Sequence, residues 1–292
     1  GRIITSINNT RCYKEIKNSL TRFTQEVYNR SFSSYYFKEI NERFLLDYTL
    51  YIQKVGIKNG NKGGLTQKLR RLRATCRYAE KQCIYGVDMK AFECLGDNIK
   101  WEPTTSKATS HMVLEKLEAV DRSLFSQKEQ LHLDLFLFSY YTGGMANVDV
   151  CHLTWDCIKE DKIIYERMKF PKQAKPLLIE KAEKIIEKYR GTGFENYIFP
   201  VFTHKHKTDM QRTKRISNLT VKMTLTLAKA CRLLKIKDKL TWYSARASFI
   251  TRMVDQGYSP YVVAEMAGNS PMVIYKHYYL SLIHISEPTR LR

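Results

Sequence analysis

The stretch WYSARASFITRMVDQGYSPYVVAEMAGNSPMVIYKHYY, residues 242–279, carries the reading that decides the fold. Its apolar spacing predicts two helices, WYSARASFITRMVDQG and SPYVVAEMAG, followed by AGNSP and then by two adjacent tyrosines. Asn269 stands 23 residues after Arg246, and Tyr278 stands nine residues after Asn269. Lys276 and His277 lie directly beside the tyrosine pair. By periodicity alone Tyr278 and Tyr279 suit the packing of a terminal amphipathic helix.

Upstream, HMVLEKLEAV and QLHLDLFLFSYYTGG read as helices, the second almost wholly buried and stopped by Gly143 and Gly144. KIIYERMKF and AKPLLIE are short β-branched or alternating runs around PKQ, so a small hairpin is expected. EKAEKIIEKYR and RISNLTVKMTLTLAKACRLLKI are helical again. Before all of these, Gly, Pro, Ser and Thr break the pattern from about 96 to 110, which reads as a linker.

The N-terminal part has helical periodicity with basic faces. Phe37, Ile40, Phe44, Leu45, Tyr48 and Tyr51 form one apolar stripe, and Gly56 is expected to close that helix. In the next helix Leu65, Leu69, Leu72, Cys76, Tyr78 and Ala79 supply the buried face. Lys68, Arg70, Arg71, Arg73 and Arg77 fill the rest, a charge run that suits either a solvated face or contact with phosphates. The expected fold is therefore mostly α with a small β-sheet.

Composition agrees with a folded, basic protein of two domains: 292 residues, 43% hydrophobic, with 49 Lys and Arg against 29 Asp and Glu, a net charge of +20. So large a surplus favours a polyanionic partner, and nucleic acid first, because each phosphate neutralised releases condensed counterions. No apolar run is long enough to span a membrane, and an intracellular protein is expected. The seven cysteines form no CxxC pair and read as reduced thiols. His204 and His206 lack Cys or acidic partners at zinc spacing and read as a solvated loop, so no metal is expected. The absence of an RRM, KH or zinc-finger signature disfavours an RNA-binding protein, and the lack of clustered Asp and Glu disfavours a metal-dependent nuclease.

The order and spacing of residues 135–279, with weaker support from the helical region 30–95, resemble the tyrosine recombinases, or phage-type integrases, and most strongly the diverged branch carried by Bacteroidetes mobile elements. The family's second box, His-x-x-Arg, is matched by Tyr243-Ser244-Ala245-Arg246, and both following intervals agree, to Asn269 and then to Tyr278. The resemblance implies a helical, SAM-like core-binding domain and a mixed α/β catalytic domain that close as a C-shaped clamp on duplex DNA. The expected bounds are 26–98 for the first, 99–110 for the linker and 111–279 for the second. It also implies phosphoryl transfer without metal or other cofactor, with Tyr278 attacking the scissile phosphate to form a 3′-phosphotyrosyl link.

In such a reaction cationic donors must stabilise the phosphorane, and Arg246 is suited by its planar, permanently charged fork. Lys169 sits at the family's hairpin-lysine position as general acid, with Lys172 and Lys175 as substitutes; Tyr243 and Asn269 can donate to phosphate oxygens. The departures are equally specific. Box one, TGGMANVDVCHLTW, keeps Asp149, Leu153 and Trp155 in register, but its arginine position falls on Ala146, and the alternative position three residues earlier is Gly143. Ala247 follows Arg246 where many relatives have His, and His277 is a stand-in for the missing imidazole. A weakened or inactive recombinase that still binds its sites stays open beside the active enzyme.

Phosphate contacts are expected from Arg70, Arg71, Arg73, Lys207, Arg212, Lys214 and Arg215. The implied partners are duplex DNA, further copies in a homo-tetramer on DNA, and accessory DNA-bending or directionality factors, with no membrane; the implied setting is the bacterial cytoplasm, with nucleoid association. Residues 1–25 read as the remnant of an N-terminal arm-binding region, a segment expected to be missing its start because the chain opens on Gly1. Residues 280–290, LSLIHISEPTR, look like a translated sequencing adapter, so residues 280–292 read as a non-native tail interrupting the chain near Tyr279.

Overall fold

The structure, a computed structural model, describes residues 2–59, 64–101, 107–169 and 172–279. The tail from 280 and the centre of the expected linker, 102–106, lie outside the described residues. The chain divides into two compact units, one of Ser6–Thr104 and one of the remainder.

In the first unit α1 (Arg2–Tyr28) buries Ile16, Leu20 and Phe23 at three- and four-residue spacing. The boundary drawn at residue 25 therefore falls inside a helix whose apolar face belongs to this unit's core. Phe23 packs edge-on against Phe44, ring centroids 5.2 Å apart, and the Tyr48 hydroxyl donates to Ser19 Oγ at 3.0 Å. The stripe from Phe37 to Tyr51 is not one helix. Phe37–Glu39 is a 3₁₀ turn, and α2 (Glu42–Asn59) starts after Asn41, whose Oδ1 accepts from the Phe44 N–H at 3.0 Å. α2 also runs through Gly56, since one interior glycine costs a helix only about 1 kcal/mol.

α3 (Gly64–Lys81) buries Leu69, Leu72, Cys76 and Ala79. Tyr78, expected on that face, is 66% exposed, because it lies one residue, about 100°, away from the Ala79 position. Two 3₁₀ pieces within Lys90–Ile99, separated by a non-helical Gly96 at φ +48°, close the core with Ala91, Phe92 and Leu95, so helical turns occupy the start of the stretch read as linker.

The second unit opens with α4 (His111–Glu118) and is organised by α5 (Gln127–Tyr141), in which every residue from Leu131 to Tyr140 is buried. A capping box starts α5: the Ser126 N–H donates to the Glu129 carboxylate at 2.9 Å, and the Glu129 N–H donates to Ser126 Oγ. Gly143 and Gly144, at φ +79° and +71°, turn the chain into the short α6 (Asn147–Cys151).

β1 (Ile158–Lys159) pairs antiparallel with β2 (Lys162–Ile163), and β3 (Tyr165–Glu166) with β4 (Gln173–Ala174) in the register Tyr165↔Ala174 and Glu166↔Gln173. The second pair is the expected hairpin. Then α7 (Glu180–Lys188), α8 (Asp209–Leu233) and α9 (Trp242–Asp255) pack around α5. α8 begins six residues before the expected Arg215, because Thr208 and Gln211 form a capping box. α10 (Pro260–Ala267), α11 (Pro271–Ile274) and a π-helical turn, Tyr275–Tyr279, end the described chain over a small cluster that includes Ile250, Val263 and Ile274.

Among the described residues no helix is long and apolar enough to cross a membrane. All seven cysteines are free.

Candidate active site

Four segments far apart in sequence converge beside the π turn. The Trp242 indole N–H donates to the Met145 carbonyl at 3.0 Å, tying the start of α9 to the turn after α5. A Cβ at Gly144 would overlap Arg246 Cα, and its φ is positive, so this close passage requires glycine. Arg246, one turn into α9, is half-buried. It donates Nη1 to the Gly144 carbonyl at 2.9 Å and Nη2 to the Ala267 carbonyl at 2.6 Å, so its fork is aimed by backbone on both sides.

The second acceptor belongs to the C-terminal end of α10, where Gly268 takes the left-handed conformation at φ +59°. The next carbonyl, that of Gly268, accepts from Nη1 of Arg167, a hairpin residue to which the sequence reading gave no role. Two guanidiniums thus meet the negative end of one helix through consecutive carbonyls. Arg167 is held from its own strand as well, since its backbone N–H donates to the Lys172 carbonyl at 3.2 Å.

Asp149 of box one lies beneath them, 3% exposed, and accepts the Met168 N–H at 2.8 Å. Burial pushes its carboxyl up, while the Met168 bond and the nearby charges of Arg167 and Arg246 pull it down. Asp149 therefore pins the hairpin at the residue between Arg167 and Lys169. Burial, and then Arg167, lower the pKa of Arg246.

Tyr278 is half-buried, with Tyr243 and the Arg246 charge beside its phenol. Burial first, then the Tyr243 contact, push the Tyr278 phenol well above its ordinary value, against the pull of Arg246.

The structure thus brings together Tyr278, Tyr243 and Arg246, and adds Arg167 and Asp149. Asn269 is adjacent: its N–H donates to the Ala264 carbonyl at 2.7 Å, and it lines an open groove with Lys172, Lys175 and Tyr261. Lys169 is exposed at the last described position before the hairpin tip, whose residues 170 and 171 lie outside the described residues, as does the side chain of His277. The arginine positions of box one do not reach in: Ala146 is the N-cap of α6, and a side chain at Gly143 would overlap the Met266 carbonyl. Among the described residues no group of three or more His, Cys, Asp or Glu gathers as a metal site.

The residues expected to contact phosphates are dispersed. Lys207 and Lys214 are exposed, at and just inside the start of α8. Their neighbours have intramolecular duties: Arg212 donates to the His206 carbonyl at 3.0 Å and Arg215 to the Val201 carbonyl at 2.9 Å. In the other unit Arg70 donates to the Ile99 carbonyl at 3.2 Å and lies over Trp101, Arg71 lies over Tyr13, and the Arg73 Nε is buried.

Sequence models of known families match both units. The model described as the phage integrase family covers residues 108–282, and that described as the phage integrase SAM-like domain covers residues 2–92. The chain belongs to the phage integrase family. As a phage integrase it shares its fold with solved structures at low identity. A lambda integrase dimer bound to a COC′ core site matches with a TM-score of 0.62 and 14% identity, over 94% of this chain and 88% of that one. The Tn1549 transposon integrase in complex with transposon right end DNA gives 0.61 and 13%, over 92% and 91%. XerH bound to its difH substrate in a pre-cleavage complex gives 0.55 and 15%, over 91% and 75%. No curated protein matches this phage integrase in sequence.

Proposed function

We propose that this phage integrase is a site-specific tyrosine recombinase that cleaves and rejoins duplex DNA through a 3′-phosphotyrosyl link to Tyr278, to integrate, excise or invert a mobile element. The observation that carries the reading is the Tyr278 phenol held beside Tyr243 and the Arg246 guanidinium, at the family's spacing from that arginine.

The Tyr278 oxygen attacks phosphorus in line; the phosphorus–Oη bond forms as the bond to the 5′-oxygen breaks. The phenol loses its proton to solvent, and the departing 5′-oxygen takes one from Lys169. Both half-reactions exchange one phosphodiester for another, so rejoining is the same step in reverse and no nucleotide is consumed. Arg246 is aimed by two carbonyls before substrate arrives, so it stabilises charge on the nonbridging oxygens without reorganising, and Asn269 supplies a further donor from the groove.

Duplex DNA is the partner, a reading supported by the Tn1549 integrase complex with transposon right end DNA, with Lys207 and Lys214 as phosphate contacts and a homo-tetramer with accessory factors as the working assembly. The bacterial cytoplasm, at the nucleoid, is where such a substrate lies. The alternative, a site-binding protein without cleavage, is not favoured.

The test is a nicked suicide duplex carrying the element's own junction, incubated with the full chain and with Tyr278→Phe and run on a denaturing gel. A covalent band formed only with Tyr278 is expected. Site binding without any covalent band in either protein would overturn the reading in favour of the alternative.

A further inference from the structure

The N-terminal unit holds a cleft of about 310 Å³ that the chemistry at Tyr278 does not use. On its floor Ile16 and Leu20 of α1 meet Leu72 of α3, all three buried. Its walls are phenols: Tyr13 from α1, and Tyr35 and Tyr36 from the connection between α1 and α2. Such a lining, apolar below with a few polar groups at the mouth, is that of a small-molecule site, and the volume lies at the lower end of the usual range of roughly 300–1,000 Å³.

The cleft is braced open. Two 3₁₀ turns, Phe32–Ser34 and Phe37–Glu39, stand where a helix would otherwise run, and Arg30 ties them together. Its Nε donates to Ser34 Oγ at 2.9 Å, Nη2 to the Ser34 carbonyl at 2.6 Å, and Nη1 to the Glu39 carboxylate. Glu39 in turn accepts the Tyr36 N–H at 2.9 Å. The wall that carries Tyr35 and Tyr36 is thus fixed to itself, and closing it over Leu20 and Leu72 would break charge-assisted bonds. A cleft held in this way leaves apolar surface facing water until something fills it, and a preformed site spares a ligand the cost of ordering it.

Charge indicates what fills it. Lys17 lines the cleft at an exposed position, and no Asp or Glu lines it among the described residues. Further cations stand over the phenol rings: Arg71 at 5.3 Å from the Tyr13 centroid, Arg30 at 4.2 Å from that of Tyr35, and Lys38 at 5.9 Å from that of Tyr36. A positive mouth over an apolar floor suits a ligand with a flat apolar body and one acid group. A second copy docked by the same face would bring the same cations to this rim, and like charges disfavour that.

We propose that this cleft binds a small organic anion with an aromatic body, the ring lying over Leu20 and Leu72 between the tyrosines and the acid group held by Lys17. The inference concerns the N-terminal unit alone and stands apart from the chemistry at Tyr278.

The probes are anilinonaphthalene sulfonate and anilinonaphthalene, one body with and without the acid group, titrated by fluorescence into the full chain, Lys17→Gln and Thr75→Trp. Thr75 is exposed and lines the cleft, so an indole there fills the space from its rim. Lys17 and Thr75 both lie on solvent-facing helix positions, so the variants keep the core intact.

One sulfonate probe per chain is expected, bound about fivefold more tightly than the neutral probe. Lys17→Gln should remove that preference, lowering the affinity of the sulfonate by about fivefold and leaving that of the neutral probe unchanged. Thr75→Trp should weaken both by about tenfold or more, since the apolar floor is then covered. Equal affinity for the two probes in the unaltered chain, or binding that Thr75→Trp leaves intact, overturns the proposal, because the probe then adheres to apolar surface elsewhere. Sedimentation of the same samples separates the remaining rival. A chain that self-associates, and that the sulfonate probe drives back to single copies, would make the cleft an interface between copies and overturn the proposal; saturable binding by a chain that sediments as a single copy supports it.

Discussion

At the Tyr278 hydroxyl two influences oppose each other: burial and the Tyr243 contact hold the proton on, and Arg246 favours its loss. The first two prevail, so near neutral pH the phenol is almost wholly protonated. Attack requires the proton to leave, and the reactive fraction grows with pH throughout the range below the raised pKa. The rate of adduct formation should therefore climb by up to about tenfold per pH unit from pH 6.5 to 8.5 with no plateau. Tyr243→Phe removes the second of the two upward causes and leaves the first, so its profile should keep the slope and move to lower pH. Quenched-flow rates on the suicide duplex would check both; a plateau below pH 8 in the unaltered chain would assign the limiting proton to some other group.

Among the elements, the first turns of α8 separate two kinds of cation that a charge count treats alike. Lys214 is exposed, whereas Arg215 is half-buried and donates to the Val201 carbonyl, which fastens the loop before α8 to the helix. Lys214→Ala should leave stability within about 0.5 kcal/mol and lower the slope of log affinity against log salt by about one. Arg215→Ala should do the reverse, costing about 1–3 kcal/mol of stability with the salt slope unchanged. Thermal unfolding beside salt titrations of duplex binding would show it, and a lowered slope with unaltered stability for Arg215→Ala would sink the distinction. The same contrast shows what was legible in the sequence. Helix α5 could be read because its signals are local: a run of apolar residues stopped by paired glycines. The interval from Arg246 to Asn269 to Tyr278 was legible through the family resemblance, because a spacing can be counted along the chain. Arg167 was not, because what gives it significance is a bond to a carbonyl 101 residues away, and nothing near it in the chain announces that contact. Asp149 was noticed in register, but its bond to Met168 is likewise nonlocal.

For the whole molecule, the distribution of histidine makes the two units respond differently to acid. All seven histidines lie at position 111 or beyond, so the Ser6–Thr104 unit has none. In the other unit two are packed inside. His132 Nδ1 is 2.9 Å from Thr226 Oγ1, and His152 Nδ1 donates to the Val148 carbonyl at 2.8 Å. Burial lowers the pKa of both below the usual 6.5; Arg215 and Lys222 add to this at His132 against the pull of Glu129, and Arg212 adds to it at His152 against that of Asp209 and the Val148 bond. The unfolded chain binds protons below about pH 6.5 that the native state refuses, so the stabilisation is complete above that value and is lost as pH falls toward the depressed native pKa values. Each histidine can remove up to about 1.4 kcal/mol per pH unit in that window. Asp149 acts in the opposite sense, since its raised pKa makes the native state hold a proton that the unfolded chain releases, and this reduces the net effect. Calorimetry of the full chain at pH 7.5 and 5.5 should show the transition of the catalytic unit falling by on the order of 5 °C while that of the N-terminal unit stays in place. His132→Gln, neutral at every pH and able to keep the Thr226 hydrogen bond, should lose roughly half of that fall. A shift of both transitions together, or an undiminished fall in His132→Gln, would show that the acid sensitivity resides elsewhere than in these buried imidazoles.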